Sequence, residues 1–311
     1  MNVLCLDHVC HQKTKSFDFF IDILKSNGFS VDVFYYDRHY RVKPSKEKIS
    51  WADVIVYLEF LPSRYRLIFW GKRTVFLPMY DNEWGSKWQW RRIALSGIGV
   101  ISFSRQISSH ARQQGVTNIL DVQFFLNPNQ FPQERGERKR VFLWERGDID
   151  RRTAEVLFPP NEGYVFDIKR RDEFLDREHY LRRISLCDIM IAPRRKEGIG
   201  MVFLEAMAMG KCVVAHNDAT MNEYIQDGES GILFCADDPR EVPYAIVSHV
   251  RDRIRAFSKQ LWSHWQDDAA RIAPFVSGQK PCRPSLLNRV KTVLAFPLFL
   301  IEGLWCRMVR S

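Results

Sequence analysis

Glu197-Gly198-Ile199-Gly200 runs into Met201-Val202-Phe203-Leu204-Glu205-Ala206-Met207-Ala208-Met209-Gly210, and these residue types at this spacing describe a place for an anion. The two glycines let a backbone approach a ligand without a Cβ in the way. The segment after them reads as a helix whose first N–H groups have no partner inside it. Such an N-terminus carries partial positive charge, and phosphates and carboxylates sit there. Glu205 is the second chemical feature: an ionised side chain on a helix apolar on almost every other side, costly unless something polar meets it. Cys212-Val213-Val214-Ala215 then reads as a buried strand, so the order is loop, glycines, helix, strand. Nearer the N-terminus, Cys5-x-x-His8-x-Cys10-His11 has the residue types of a metal site, but no second ligand pair follows at a distance. It reads as a strand running into a loop, with no metal.

These residues need elements to hold them. In the first half, Val3–Leu6, Val31–Tyr35, Ala52–Tyr57, Thr74–Leu77 and Gly99–Phe103 read as strands. Helices are expected over Ser16–Ser26 and from Phe103 through Arg112 to a stop at Gly115. The charged stretch Gln133–Arg140 breaks the pattern and reads as an interdomain linker. Alternation restarts with Val141–Trp144, Tyr164–Ile168, Asp188–Ala192, Cys212–Ala215 and Ile232–Phe234, and helices follow from about Glu241. Strands alternating with helices imply βαβ units in a doubly wound parallel sheet, whose ligands sit past the carboxyl ends of the strands. The expected layout is a domain over 1–135, a second over 138–258, and C-terminal helices with a tail over 259–311. Two such domains in tandem leave a cleft for a small ligand.

The chain of 311 residues is 46% hydrophobic and 27% charged, which excludes a disordered protein. A formal charge of +9 asks for an anionic partner: nucleic acid, acidic lipid or a phosphorylated small molecule. Seven scattered cysteines argue against a disulfide framework and for a reducing compartment. The N-terminus has no basic leader, so no signal peptide is expected. The apolar run closest to a membrane span, Val293–Trp305, is interrupted by Pro297, Glu302 and Gly303 and falls short of roughly 18–20 residues.

Glu197-x7-Glu205 within EGIGMVFLEAMAMGKCVVA resembles the signature of retaining family 4 glycosyltransferases of the GT-B fold, glycosyl transferases group 1. Downstream, TMNEYIQDGESGIL over Thr220–Leu233 is similar to that family's following segment, and upstream Leu186–Pro193 matches its approach to the first Glu. Ile101–Ser104 and Asn127-Pro128-x-x-Phe131 are weaker echoes. The strong part covers roughly residues 180–235.

The resemblance implies an α/β GT-B fold, two tandem Rossmann-like parallel-sheet domains facing a cleft, and a transferase moving a sugar from a nucleotide-diphosphate donor with retention of configuration. Glu197 would bind donor-sugar hydroxyls. Backbone N–H groups of Gly198, Ile199, Gly200 and Met201 would face the donor's phosphates and sugar. Glu205, about two turns into the helix, would accept from the ribose. Arg146 fits the family's first cation after the opening strand of the second domain. Arg151 stands where a Lys is usual, with Arg152 as a substitute, and fixed cations there stabilise the leaving diphosphate without a metal or other cofactor.

On the acceptor side the family's Gly-rich loop after the first strand is missing. His8 and Asp81 are the candidates there, beside Asp7, His11, Tyr80, Asn82 and Glu83. Retaining transfer on one face of the sugar lets the leaving phosphate take the acceptor proton, so no dedicated base is nominated. The tail Leu286–Ile301 has the apolar bulk and flanking basic residues of a segment lying on an anionic bilayer, or else packs on the first domain. The expected protein is therefore cytoplasmic and peripheral at the membrane, acting on a glycan or lipid-linked glycan in surface polysaccharide biosynthesis. The rival is a catalytically silent GT-B scaffold or binding subunit. A nucleotide-sugar epimerase fits the motifs less well. Nucleic acid is not an expected partner, because no aromatic–basic binding motif accompanies the charge.

Overall fold

A computed structural model describes residues 1–36, 43–61, 72–82, 87–170 and 176–278. The chain divides into two compact units, Met1–Val122 together with Ala269 onward, and Gln123–Asp268.

In the first unit β1 (Asn2–His8), β2 (Ser30–Tyr36), β3 (Val54–Glu59), β4 (Arg73–Pro78), β5 (Gly99–Ser102) and β6 (Ile119–Asp121) form one parallel sheet ordered β2-β1-β3-β4-β5-β6. The intervening helices are α1 (His11–Thr14), α2 (Asp18–Ser26), α3 (Lys46–Trp51), α4 (Lys87–Ser96) and α5 (Arg105–Gln113). Central strands are apolar along their middles, as a sheet covered on both faces requires: Val3–Cys5 and Ile55–Val56 are completely buried. The chain leaves β1 for β2 on one side and returns to β3 on the other, so the sheet's switch point lies at the carboxyl ends of β1 and β3.

In the second unit β7 (Glu137–Trp144), β8 (Val165–Lys169), β9 (Cys187–Ile191), β10 (Cys212–His216) and β11 (Ile232–Phe234) form a parallel sheet ordered β11-β10-β9-β7-β8. Its helices are α6 (Arg151–Leu157), α7 (Arg177–Ser185), α8 (Met201–Ala208), α9 (Met221–Tyr224) and α10 (Tyr244–Ser277), whose last residues belong to the first unit. By the same logic the switch point here lies past β7 and β9, which are paired through Leu143 and Ile191.

The charged stretch Glu137–Arg140 is no linker; it is the first half of β7. Its ladder to β9 shifts register between Glu137 and Val141, and Lys139 takes φ +59 there. That irregularity leaves Glu137 and Arg138 exposed while Val141–Leu143 go into the core.

Two polar groups are fixed deep in the second unit. Asp188 has no exposed surface and is held by Arg251 (2.7 Å) and the Tyr244 hydroxyl (2.9 Å). Lys211 is 1% exposed, and its ammonium donates to the carbonyls of Ser185 (2.6 Å) and Glu134 (2.9 Å). Burial lowers the Lys211 pKa to about 8.

In the first unit the end of α10 is tied down by Arg73, which donates to the carbonyls of Val276 (2.7 Å) and Phe275 (2.6 Å). The Leu286–Ile301 tail and Glu83 lie outside the described residues. Among the described residues no helix is long and apolar enough to cross a membrane.

Candidate functional site

The switch point of the second unit collects most of the residues singled out from the sequence. β9 ends at Ile191, and the loop that follows carries Glu197 to the glycines that open α8. Gly200 is the residue before α8, at φ +81, and a Cβ there would lie 1.8 Å from Phe203 Cε1. Both the backbone angle and the ring beneath it therefore demand glycine. Its carbonyl accepts from the N–H groups of Phe203 and Leu204, each at 3.1 Å. The cap residue, being glycine, offers no side chain to this terminus. Met201 and Val202, next to the cap, are partly exposed, while Gly198–Gly200 are buried.

Glu197 is buried beside this terminus, with Arg194 at 3.9 Å. From the neighbouring strand, Trp144 ends β7 and Arg146 lies two residues on, its guanidinium 4.7 Å from the centre of the Trp144 ring. The indole face holds the cation at the end of β7, the strand paired with β9, from whose end Glu197's loop begins. Arg151 is placed differently. It is the first residue of α6, behind the Asp150 cap, and its exposed side chain runs along the helix to Glu155 at 2.6 Å.

Glu205 lies just over one turn into α8, not two, and is 2% exposed. Its buried charge is met by the protein itself: Arg177 Nη1, at the start of α7, is 2.6 Å from Oε1, and Tyr180, on the same helix, also acts on the carboxylate. Burial raises the Glu205 pKa, and Arg177 and Tyr180 pull it back. Sequence reading found neither partner, since no spacing links α7 to α8.

The switch point of the first unit holds a second polar cluster. His11 Nδ1 is 2.6 Å from Asp7 Oδ1 and its Nε2 is 3.2 Å from Glu59 Oε2. Asn82 donates to the other Glu59 oxygen. Burial works against a charge on His11, but the hydrogen bond and charge of Asp7, with Glu59 and Asp81, outweigh it and raise the pKa. Glu59 is pushed up to about 7, by burial first and then by Asp81 and Asp7, against the pull of His11 and Asn82. Glu59 also takes φ +69, a strained angle for a side chain of its size.

His8 stands at the end of β1 outside this pairing. Its Nδ1 accepts from the Cys10 N–H (3.2 Å) and lies 2.9 Å from Cys10 Sγ. Asp81 acts on the cluster through its charge. The sequence signal for His11 was its position four residues after Asp7; for Glu59 there was none. Among the described residues no three His, Cys, Asp or Glu side chains converge as metal ligands.

Residues 169–252 match the family model described as Glycosyl transferases group 1. Over 70 residues the chain is 39% identical to the lipopolysaccharide core biosynthesis mannosyltransferase LpsB of Rhizobium meliloti, covering 22% of this chain and 20% of that protein. Over 161 residues it is 37% identical to an uncharacterized 41.2 kDa protein in the cps region of Klebsiella pneumoniae, covering 50% of this chain and 43% of that one. The chain thus aligns with less than half the length of either relative. Among solved structures, Anabaena HepE in complex with UDP-glucose superposes with a TM-score of 0.58 at 14% identity, covering 88% of this chain and 99% of that one. A glycosyltransferase from Rickettsia africae gives 0.54 at 13% identity, covering 94% and 97%. At these identities the likeness is one of fold, and the fold is GT-B.

Proposed function

We propose that this chain, a GT-B protein whose second unit carries the group 1 glycosyltransferase domain, transfers a sugar from a nucleoside diphosphate sugar to a glycan or lipid-linked glycan, with retention of configuration. The observation that carries the reading is the glycine-capped N-terminus of α8 at the switch point of the second sheet, with Glu197 on one side and the indole-backed Arg146 on the adjacent strand end. The diphosphate lies against the N–H groups from Gly198 to Met201. Glu197 orients the donor sugar through its hydroxyls, and Glu205 receives the ribose.

As the bond from the anomeric carbon to the diphosphate oxygen breaks, Arg146 meets the charge growing on that oxygen. The acceptor hydroxyl attacks from the same face and gives its proton to the departing phosphate. Arginine and helix terminus thereby supply the positive charge, and Arg151 joins them only by leaving Glu155. The described acceptor-side candidates, His8 and Asp81, belong to the first unit. The lipopolysaccharide core mannosyltransferase among the relatives favours a surface polysaccharide as the product, made at the cytoplasmic face of a membrane. The chain's charge of +9 suits that anionic surface.

The test is nucleotide release from UDP- and GDP-sugars, measured with the membrane lipid fraction as acceptor, for the wild type, Glu197→Ala and Arg146→Ala. Turnover by the wild type, lost in both variants, supports the reading. Unchanged turnover in both overturns it. Tight UDP or GDP binding without turnover of any sugar nucleotide would make the chain a binding subunit instead.

A further inference from the structure

Glu205 is set among apolar neighbours on its own helix, with Leu204 and Ala206 both buried. The groups that act on its charge come from α7, where Arg177 and Tyr180 approach the carboxylate. Tyr180 is in turn buried against Trp144, their rings 5.5 Å apart, and feels the charges of Glu205 and Glu197. Arg177 differs from these in one respect. Its side chain is 60% exposed although the carboxylate it meets is 3% exposed. The guanidinium therefore spans from solvent to a group that solvent hardly reaches.

We propose that Arg177 is a positioning residue for the donor nucleotide: it holds the Glu205 carboxylate ionised and aimed at the ribose. This inference rests on reading residues 197–205 as the donor site. Two neighbouring ribose hydroxyls are donors; an ionised carboxylate is acceptor-only and keeps lone pairs for them beside the one Arg177 meets, whereas a protonated one must itself place a proton. Burial drives Glu205 toward the protonated form. Arg177 opposes that drive with a full charge at 2.6 Å, and Tyr180 pulls the same way. An arginine suits the place because its planar fork engages one carboxylate oxygen and still offers N–H groups toward solvent.

The sign of the effect follows. Without Arg177, Glu205 takes up its proton at higher pH, so nucleotide affinity falls near neutrality and returns as the solution is made alkaline. The experiment is calorimetric titration of UDP and GDP across a pH series with wild type, R177Q, R177K, E205Q and the R177Q/E205Q double variant. R177Q is expected to bind about tenfold more weakly near neutral pH, the loss of one charge-assisted interaction, and to recover at higher pH. R177K should stay close to the wild type at every pH. In the E205Q background, R177Q should add no further loss, and the donor KM should rise in R177Q while kcat changes little.

R177Q binding like the wild type at every pH overturns the proposal. So does a loss that is the same at every pH, or one that adds in full to that of E205Q, since either describes a structural role. Should R177Q lose its thermal transition, R177K decides, because a midpoint moved upward there would overturn the proposal as well. A wild type that binds neither UDP nor GDP overturns the donor-site reading itself. A wild type that binds, beside an R177Q that binds equally, overturns this inference alone.

Discussion

His11 Nε2 lies 3.2 Å from Glu59 Oε2, so the switch point of the first unit is closed by a pair whose members are both raised, Glu59 by burial first and His11 by the carboxylates around it against the pull of burial. A carboxyl raised from 4.5 to about 7 favours the proton in the folded state. Its contribution to stability is fully present below 4.5 and lost as pH rises through about 7. His11 has the same sign, present below 6.5 and lost above its raised value. Melting temperatures across this window should fall more steeply for the wild type than for Glu59→Gln. Parallel curves would show that Glu59 does not titrate there.

Gly200 and Gly228 make a matched pair of substitutions. Both have positive φ, +81 and +73, but a Cβ at Gly228 meets nothing within 4 Å while one at Gly200 overlaps Phe203. Gly228→Ala should cost about 1 kcal/mol, the strain of the angle alone. Gly200→Ala adds displacement of the buried Phe203 ring and should cost about 3 kcal/mol, with loss of nucleotide binding. Urea titrations and UDP calorimetry on the two variants give the comparison, and equal costs would mean that Phe203 yields freely.

Arg146 should be the most sensitive cation at the site. Arg146→Ala is expected to lower kcat about 100-fold or more, as removal of a charge that stabilises a leaving group does. Trp144→Leu keeps the cation and removes its aromatic backing, worth about 0.5–1 kcal/mol, together with the ring that packs on Tyr180, so kcat/KM should fall at least about 2- to 5-fold. A Trp144→Leu loss as large as that of Arg146→Ala would assign the indole a direct contact with the donor.

Asp188→Ala leaves the mostly buried Arg251 without its partner in the core of the second unit. A loss of about 3–5 kcal/mol is expected, enough to abolish a stable fold in a protein of ordinary stability. Asp188→Asn, which keeps an acceptor for the Tyr244 hydroxyl and Arg251, should cost less. Equal denaturation midpoints for the two would assign the whole loss to the charge, since both variants lack it and only Asn keeps the acceptor.

Much of the architecture is legible along the chain because both sheets are parallel and covered, so their strands read as short apolar runs between helical segments. The glycine-opened helix with its two glutamates is legible for the same reason: glycines and an isolated carboxylate stand out against Val, Phe, Leu and Met. Glu137–Arg140 misleads, since four charged residues signal solvent, and only the register shift and the angle at Lys139 let a strand begin there. Ile119–Asp121 is too short for a pattern. What the sequence conceals are partners distant along the chain. Arg177 for Glu205 and Glu59 for His11 are joined by the fold alone, and Glu59 occupies a backbone angle where a glycine or asparagine would have drawn the eye.

Lys211 gives the second unit its own chemical clock. Acylating reagents modify amines they can touch, and this one is sealed between two carbonyls, out of reach while the unit is closed. Each opening that breaks those two bonds presents it to the reagent, so its labelling, followed by peptide mass, counts openings of this unit alone. Added UDP, if it binds the closed form, should slow that clock in proportion to its occupancy.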